Sequence, residues 1–242
     1  MADMDHIIEH KIALAPPQVV AETRLWVWPA RSPTRTSAVL LAPAARSNLD
    51  ERVLSTLARG LSARGVTVGT FNFAYRQAGR RPPDRRERLE RAYRDVLSVF
   101  AGMTGARDHV LGGRSMGGRI ASHLAAEGAG AGVIALAYPL WPGGSPDPRR
   151  TAHWLQITVP MLFVHGDRDR LCPVAALDDA RAAYLCHAAS GAHVVAGADH
   201  NFALRARDPR TAAEVEAELV ATVDSWLIET FETAVVERRL VR

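Results

Sequence analysis

The apolar run His109-Val110-Leu111 leads without a gap into Gly112-Gly113-Arg114-Ser115-Met116-Gly117-Gly118. Helix-compatible spacing then begins at Arg119-Ile120-Ala121-Ser122-His123-Leu124. The order is strand, sharp turn, helix, with a serine at the apex. In Gly113-x-Ser115-x-Gly117 the glycines stand two residues to either side of the serine, where a turn this tight leaves no room for side chains. Such a turn holds the serine hydroxyl out where a substrate can reach it, and it fixes a strand feeding a helix as the local unit.

The rest of the chain repeats that unit. Lys11-Ile12-Ala13-Leu14 and the stretch from Val19 to Trp28, joined by Pro16-Pro17, read as edge strands of a starting hairpin. Ser37-Ala38-Val39-Leu40-Leu41-Ala42 is continuously apolar, as a strand buried on both faces is. Asp50 is placed to cap a helix with Val53, Leu54, Leu57 and Leu61 on one stripe, stopping near Gly65. A strand from Val66 to Phe73, an arginine-rich helix, the Ser115 unit and a strand from Gly132 to Tyr138 follow in turn. Val215, Leu219, Val220, Val223, Trp226 and Leu227 stripe a last helix. This alternation predicts an α/β fold: a mostly parallel sheet with helices on both faces and right-handed crossovers. Pro139 to Val159 reads as a loop with at most one short helix, too short for a separate lid domain.

At 242 residues, 48% hydrophobic and 23% charged, residues 1–242 are expected to form a single domain around one sizeable core. No apolar run approaches the roughly 20 residues of a membrane-spanning helix, and Met1-Ala2-Asp3-Met4-Asp5-His6 lacks the features of a secretory signal. A soluble cytoplasmic protein with no membrane partner is expected. Cys172 and Cys186 are too few for a disulfide framework, so reduced thiols are expected. The net charge of +4 raises the question of nucleic acid, but the arginines from Arg80 to Arg88 alternate with acids. From Asp84 to Asp95 the acids and arginines form a solvated helix face, opposite Leu89, Ala92, Tyr93, Val96 and Leu97, so no nucleic-acid partner is expected. Lys11 is the only lysine, which reads as compositional bias.

Downstream of Ser115, the buried-strand pattern Pro160 to His165 is followed by the acidic loop Gly166-Asp167-Arg168-Asp169, and Ala192-His193-Val194-Val195 runs into Gly197-Ala198-Asp199-His200-Asn201-Phe202. Serine, acid and histidine each lie just past a strand, 54 residues from Ser115 to Asp169 and 31 from there to His200. A serine hydroxyl is a poor nucleophile at neutral pH and needs a base, assigned here to His200, with an acid fixing the imidazole tautomer, assigned to Asp169. Asp167 is the rival acid, and Asp199 is assigned to shaping its own loop. The backbone N–H of Met116, at a helix N-terminus, is the expected oxyanion donor.

Other residues carry alternatives. Arg114 is either half of a structural ion pair beneath the turn or a cation for an acidic substrate. Met116, Phe202, Trp141 and Trp154 are candidate pocket walls. His109, His165 and His193 are expected to be packed, and His6, His10, His123, His153 and His187 show no metal-ligand spacing, so neither a metal nor a cofactor is expected.

Phe71-Asn72-Phe73-Ala74-Tyr75, Gly79-Arg80-Arg81-Pro82-Pro83-Asp84, Gly112 to Arg119, Tyr138-Pro139-Leu140 and Gly197 to Phe202 together resemble the small lidless α/β-hydrolases. The likeness is to the dienelactone-hydrolase group, and more closely to predicted bacterial hydrolases related to testis-expressed and acetyltransferase-complex-subunit proteins. It spans roughly Ala38 to Phe202. The resemblance implies Ser115 as nucleophile, Asp169 as acid and His200 as base, acting on a small-molecule ester or thioester. Dienelactone hydrolase itself has cysteine where this chain has Ser115.

The chain departs from that group after the third strand. A His-Gly-Ala-Gly type segment usually supplies the second oxyanion donor, whereas this chain has Ala42-Pro43-Ala44-Ala45-Arg46-Ser47-Asn48. The equivalent donor is Ala44, and a bend requiring positive φ would be strained without glycine. Losing one donor costs on the order of a hundredfold in rate. A catalytically weak protein acting as a binding or scaffolding module is therefore the alternative.

Overall fold

The computed structural model describes residues 7–32 and 35–232. The leader reading at Met1 to His6, and with it His6, lies outside the described residues. Among the described residues eight strands form one sheet: β1 (Ile8–Ala13), β2 (Glu22–Trp28), β3 (Ser37–Ala42), β4 (Thr67–Phe71), β5 (Asp108–Arg114), β6 (Gly132–Leu136), β7 (Met161–Gly166) and β8 (Ser190–Val195). Their spatial order is β1-β2-β4-β3-β5-β6-β7-β8. The predicted hairpin is present, with β1 antiparallel to β2 and β2 antiparallel to β4. From β4 to β8 every pairing is parallel.

Both faces of the parallel part are covered. Val39 and Leu41 of β3 and Ile134 and Leu136 of β6 pack toward α1 (Arg52–Ser62) and α6 (Ala212–Leu227). Their alternates Leu40, Val133 and Ala135 pack toward α3 (Arg86–Thr104), α4 (Met116–Ala126) and α5 (Val174–Tyr184). A period of two with apolar residues at both phases is why these strands read as unbroken hydrophobic runs. A single turn, α2 (Ala74–Gln77), follows β4.

Several local expectations are corrected. Asp50 does not cap α1; Glu51 is the N-cap residue and makes no side-chain cap bond, because its carboxylate is turned inward. Glu90, read as part of a solvated face, is buried beside Arg86 (3.3 Å). The segment after β6 contains three short 3-10 turns, Pro142–Gly144, Pro148–Arg150 and Ala152–Gln156, where one helix at most was expected. Prolines open the first two, the Asp147 carboxylate accepts the N–H of Arg149, and the Tyr138 hydroxyl donates to the Arg150 carbonyl (2.6 Å). These bonds fix a covering layer of short turns. Among the described residues no helix is long and apolar enough to cross a membrane.

Tyr93 ties α3 to the strand carrying the serine. Its buried hydroxyl donates to the Leu40 carbonyl (2.6 Å) and accepts the Gly112 N–H (2.9 Å), entering the sheet between β3 and β5.

Candidate active site

Ser115 joins β5 to α4 with φ 52° and ψ −112°, a conformation that side-chain-bearing residues rarely adopt. The surroundings hold it there. The Ser115 N–H donates to the Leu136 carbonyl (2.7 Å), so β6 anchors the turn. The turn also lies against the end of β3: a Cβ on Gly113 or on Gly117 would collide with the carbonyl oxygen of Ala42. The glycines are thus demanded by contact with a neighbouring strand as much as by the turn.

Ser115 Oγ lies 3.0 Å from His200 Nε2, and His200 Nδ1 lies 2.7 Å from Asp169 Oδ2. The Asp169 carboxylate is fully enclosed, and its second oxygen accepts the Leu171 N–H (2.8 Å). Asp167, the rival acid, is spent elsewhere: it accepts the Gly197 N–H (2.8 Å) and braces the loop that presents the histidine. Asp199 shapes that loop by accepting the N–H groups of Asn201 (2.8 Å) and Ala203 (3.0 Å). The structure therefore brings Ser115, His200 and Asp169 together from three separate strand ends.

Arg114 is buried and engaged. Its guanidinium pairs with Glu51 and donates to the His200 carbonyl (3.3 Å) and to Asn201 Oδ1 (3.1 Å). Burial pulls its pKa below the usual arginine value, while Asp169 and Asp199 pull it back up. Of the two readings, the structural ion pair fits this geometry; the cation facing substrate does not, because the side chain is enclosed beneath the turn.

The structure also corrects Ala44. Its N–H donates to the other oxygen of the Glu51 carboxylate (3.2 Å), so that group is not directed at a substrate. The strain expected in this glycine-free loop is absent, since residues 43–48 have no positive φ. A turn closed by the Ser47 N–H on the Ala44 carbonyl (3.0 Å) replaces the glycine-rich bend, and the Tyr75 hydroxyl donates to the Ala45 carbonyl (2.6 Å). Burial, helped by Asp84, pushes the Tyr75 hydroxyl up to about 12, against the pull of Arg76, so it remains a donor at neutral pH. Met116 opens α4, and its N–H is one of those a helix leaves without an intrahelical acceptor.

Among the expected pocket walls, Phe202 is 2% exposed and belongs to the core with Leu136 and Val164. It takes a positive φ (58°) at the end of the histidine loop, turning the ring inward. Trp154 is fully buried against Tyr138 and Phe163, at ring separations of 5.2 and 5.1 Å. The Met116 side chain also packs into the core. Trp141 is half-buried and lines a cleft of about 340 Å³ with Leu140, Pro148, Ala180 and Tyr184. Glu51 was missed by the sequence reading, which chose the adjacent Asp50; nothing in the local pattern distinguishes an acid that caps from one that turns inward.

A parallel-cored eight-stranded sheet, with a serine at a strained strand-to-helix turn and an acid and a histidine on later strand ends, defines the α/β-hydrolase architecture. The family model described as an alpha/beta hydrolase domain matches residues 35–228, and the chain belongs to that family. The fold is shared with an alpha-beta serine hydrolase homologue from Coxiella burnetii (TM-score 0.71, 20% identity, 89% of this chain and 96% of that one). It is shared too with a lidless serine hydrolase from Xanthomonas campestris (0.68, 17%, 92% and 95%). A third neighbour is the dienelactone hydrolase from Anabaena variabilis (0.71, 15%, 93% and 99%).

Proposed function

We propose that this protein is a serine hydrolase that cleaves a carboxylic ester or thioester of a small molecule through an acyl-enzyme on Ser115. The observation that carries the reading is the continuous chain from Ser115 Oγ through His200 to Asp169, at 3.0 and 2.7 Å. Ser115 Oγ attacks the carbonyl carbon while His200 Nε2 takes its proton. Asp169 holds the Nδ1–H and stabilises the imidazolium. The Met116 N–H and the N-terminus of α4 face the developing oxyanion. The oxyanion collapses, the bond to the leaving oxygen or sulfur breaks, and His200 returns the proton to the leaving group. Water then repeats the sequence on the acyl-enzyme, with His200 again as base. The reading invokes no metal or cofactor, no nucleic acid and no membrane.

One observation favours a second reading. With the Ala44 N–H held by Glu51, the oxyanion loses its second expected donor, which suits a catalytically weak protein used as a binding or scaffolding module. Covalent labelling by a neutral fluorophosphonate, located by mass spectrometry beside the Ser115→Ala variant, separates the two. Labelling confined to Ser115 is the expected result. A folded protein that stays unlabelled at millimolar probe would overturn the hydrolase reading and favour the second.

A further inference from the structure

Beside the loop that packs on the serine turn lies a cleft of about 790 Å³ lined by Ala45, Arg46, Arg76, Arg81, Pro82 and Pro83. Its position relative to the serine follows from the chain. Pro43 abuts the turn closely enough that a Cβ on Gly117 would meet its carbonyl oxygen at 2.9 Å, and Ala45, two residues on, forms the cleft wall. Two residues span at most about 7 Å. The loop that forms the cleft wall therefore also packs against the serine turn, and Ser47, next to Arg46, lies 3.5 Å from the Arg114 guanidinium.

Its charge is one-sided. Arg76, half-buried, is held by neutral partners: its Nε donates to Asn48 Oδ1 (3.0 Å) and its Nη1 to the Arg80 carbonyl (3.2 Å). Arg46 and Arg81 are exposed and form no ion pair among the described residues. The nearest acid in sequence, Asp84, has an almost fully enclosed carboxylate that pairs with Arg80 (3.4 Å). The adjoining cleft of about 550 Å³ differs, because there Asp84 and Glu87 stand among Arg80, Arg85, Arg88 and Arg91. The backbone presenting the arginines is also restricted. Gly79, at φ 71°, turns the chain at the end of α2, and Arg81 precedes Pro82, which limits it to extended conformations.

We propose that this cleft binds the anionic group, a carboxylate or a phosphate, of an ester substrate whose carbonyl reaches Ser115. The inference rests on the serine-hydrolase reading for its substrate and on the cleft alone for its anion. Guanidinium groups pair with carboxylates and phosphates through two parallel hydrogen bonds, and three of them converge on a space wide enough for a small acid.

Binding is tested apart from catalysis. Monomethyl glutarate, glycerol phosphate and neutral dimethyl glutarate are titrated calorimetrically into Ser115→Ala protein, with and without the added charge reversals Arg46→Glu and Arg81→Glu. The expected result is binding of at least one anion, about tenfold weaker after either reversal and weaker at high ionic strength. The carboxylate and phosphate arms show which group is preferred. Equal binding of anionic and neutral ligands, or anion binding indifferent to both reversals, would overturn the proposal. In active protein, the kcat/KM ratio for the mono-4-nitrophenyl ester of glutaric acid over 4-nitrophenyl acetate should fall in the reversed variants by a similar factor. Ser115 labelling without anion binding sinks this inference alone. Anion binding without labelling sinks the hydrolase reading and leaves an anion-binding cleft.

Discussion

Glu51 accepts the Arg114 guanidinium with one carboxylate oxygen and the backbone N–H of Ala44 with the other. Arg114 in turn holds the His200 carbonyl and Asn201, so one buried ion pair joins the loop after β3, the serine turn and the histidine loop. Removing one partner strands a buried charge, at a cost of about 3–5 kcal/mol. Arg114→Met and Glu51→Gln are each expected to lower the urea midpoint strongly, and the double variant to be less destabilised than the two effects added. A double-mutant cycle that closes additively would show that the pair is not coupled.

Asp169 enters the proposed chemistry only through His200. Asp169→Asn preserves shape but presents the wrong hydrogen-bonding partner to Nδ1, and it is expected to slow Ser115 labelling by about 10³ to 10⁴ with little change in melting temperature. Asp167→Asn should slow it far less, because Asp167 braces a loop N–H. Equal effects of the two substitutions would remove the basis for choosing Asp169.

The backbone at Ser115 is strained at φ 52°. Strain of this kind costs about 1–3 kcal/mol, and glycine relieves it where alanine does not. Ser115→Gly is expected to melt a few degrees above Ser115→Ala by calorimetry, a shift of roughly 2–4 °C per kcal/mol at this chain length. If the alanine variant were the more stable, the turn would not be storing strain.

His123 and His153 stack at a ring separation of 3.6 Å, with Ser122 Oγ 2.8 Å from His153 Nε2 and Arg119 close to His123. Burial first, then neighbouring positive charge, pulls them down to about 3 and about 4. Both rings are neutral in the folded protein and take up protons near pH 6.5 when it unfolds. Their contribution to stability is complete above pH 6.5 and declines as pH falls toward 4, by up to about 1.4 kcal/mol per pH unit for each ring. Glu90 nearby is raised by burial and acts in the opposite sense, so the comparison is with His123→Asn/His153→Gln. Urea midpoints between pH 7 and 4.5 should fall less steeply in that variant; an unchanged slope would refute the assignment.

Both cysteines are unpaired, one buried and one exposed. Burial, reinforced by Asp169 and Asp178, raises the Cys172 thiol well above its ordinary value. Native protein is expected to expose one thiol to a chromogenic disulfide reagent, with Cys186 labelled in the peptide map, and two in denaturant. Rapid labelling of Cys172 in native protein would mean that the Asp169 loop opens.

Legibility followed the range of the interactions. The serine turn, the strand-helix alternation and the order of serine, acid and histidine were readable because glycine spacing and apolar period are properties of adjacent residues. Choices that depended on distant neighbours were not. Asp50 and Glu51 look equivalent at a helix start, yet only Glu51 reaches Arg114. Arg114 reads first as half of a structural ion pair, yet its position beside the nucleophile leaves a substrate cation open. Phe202 and Trp154 look like pocket walls until the packed layers show them enclosed.

The sequence by itself determined a strand-turn-helix with a serine at its apex and a sheet buried on both faces. Those features follow from steric limits on short backbone segments and from hydrophobic periodicity. Only the tertiary structure decided that Asp169 rather than Asp167 faces His200, that Glu51 claims the Ala44 N–H, and that Arg46, Arg76 and Arg81 converge on one cleft. These relationships join residues far apart in the chain, and their partners are fixed when the sheet brings its strand ends together.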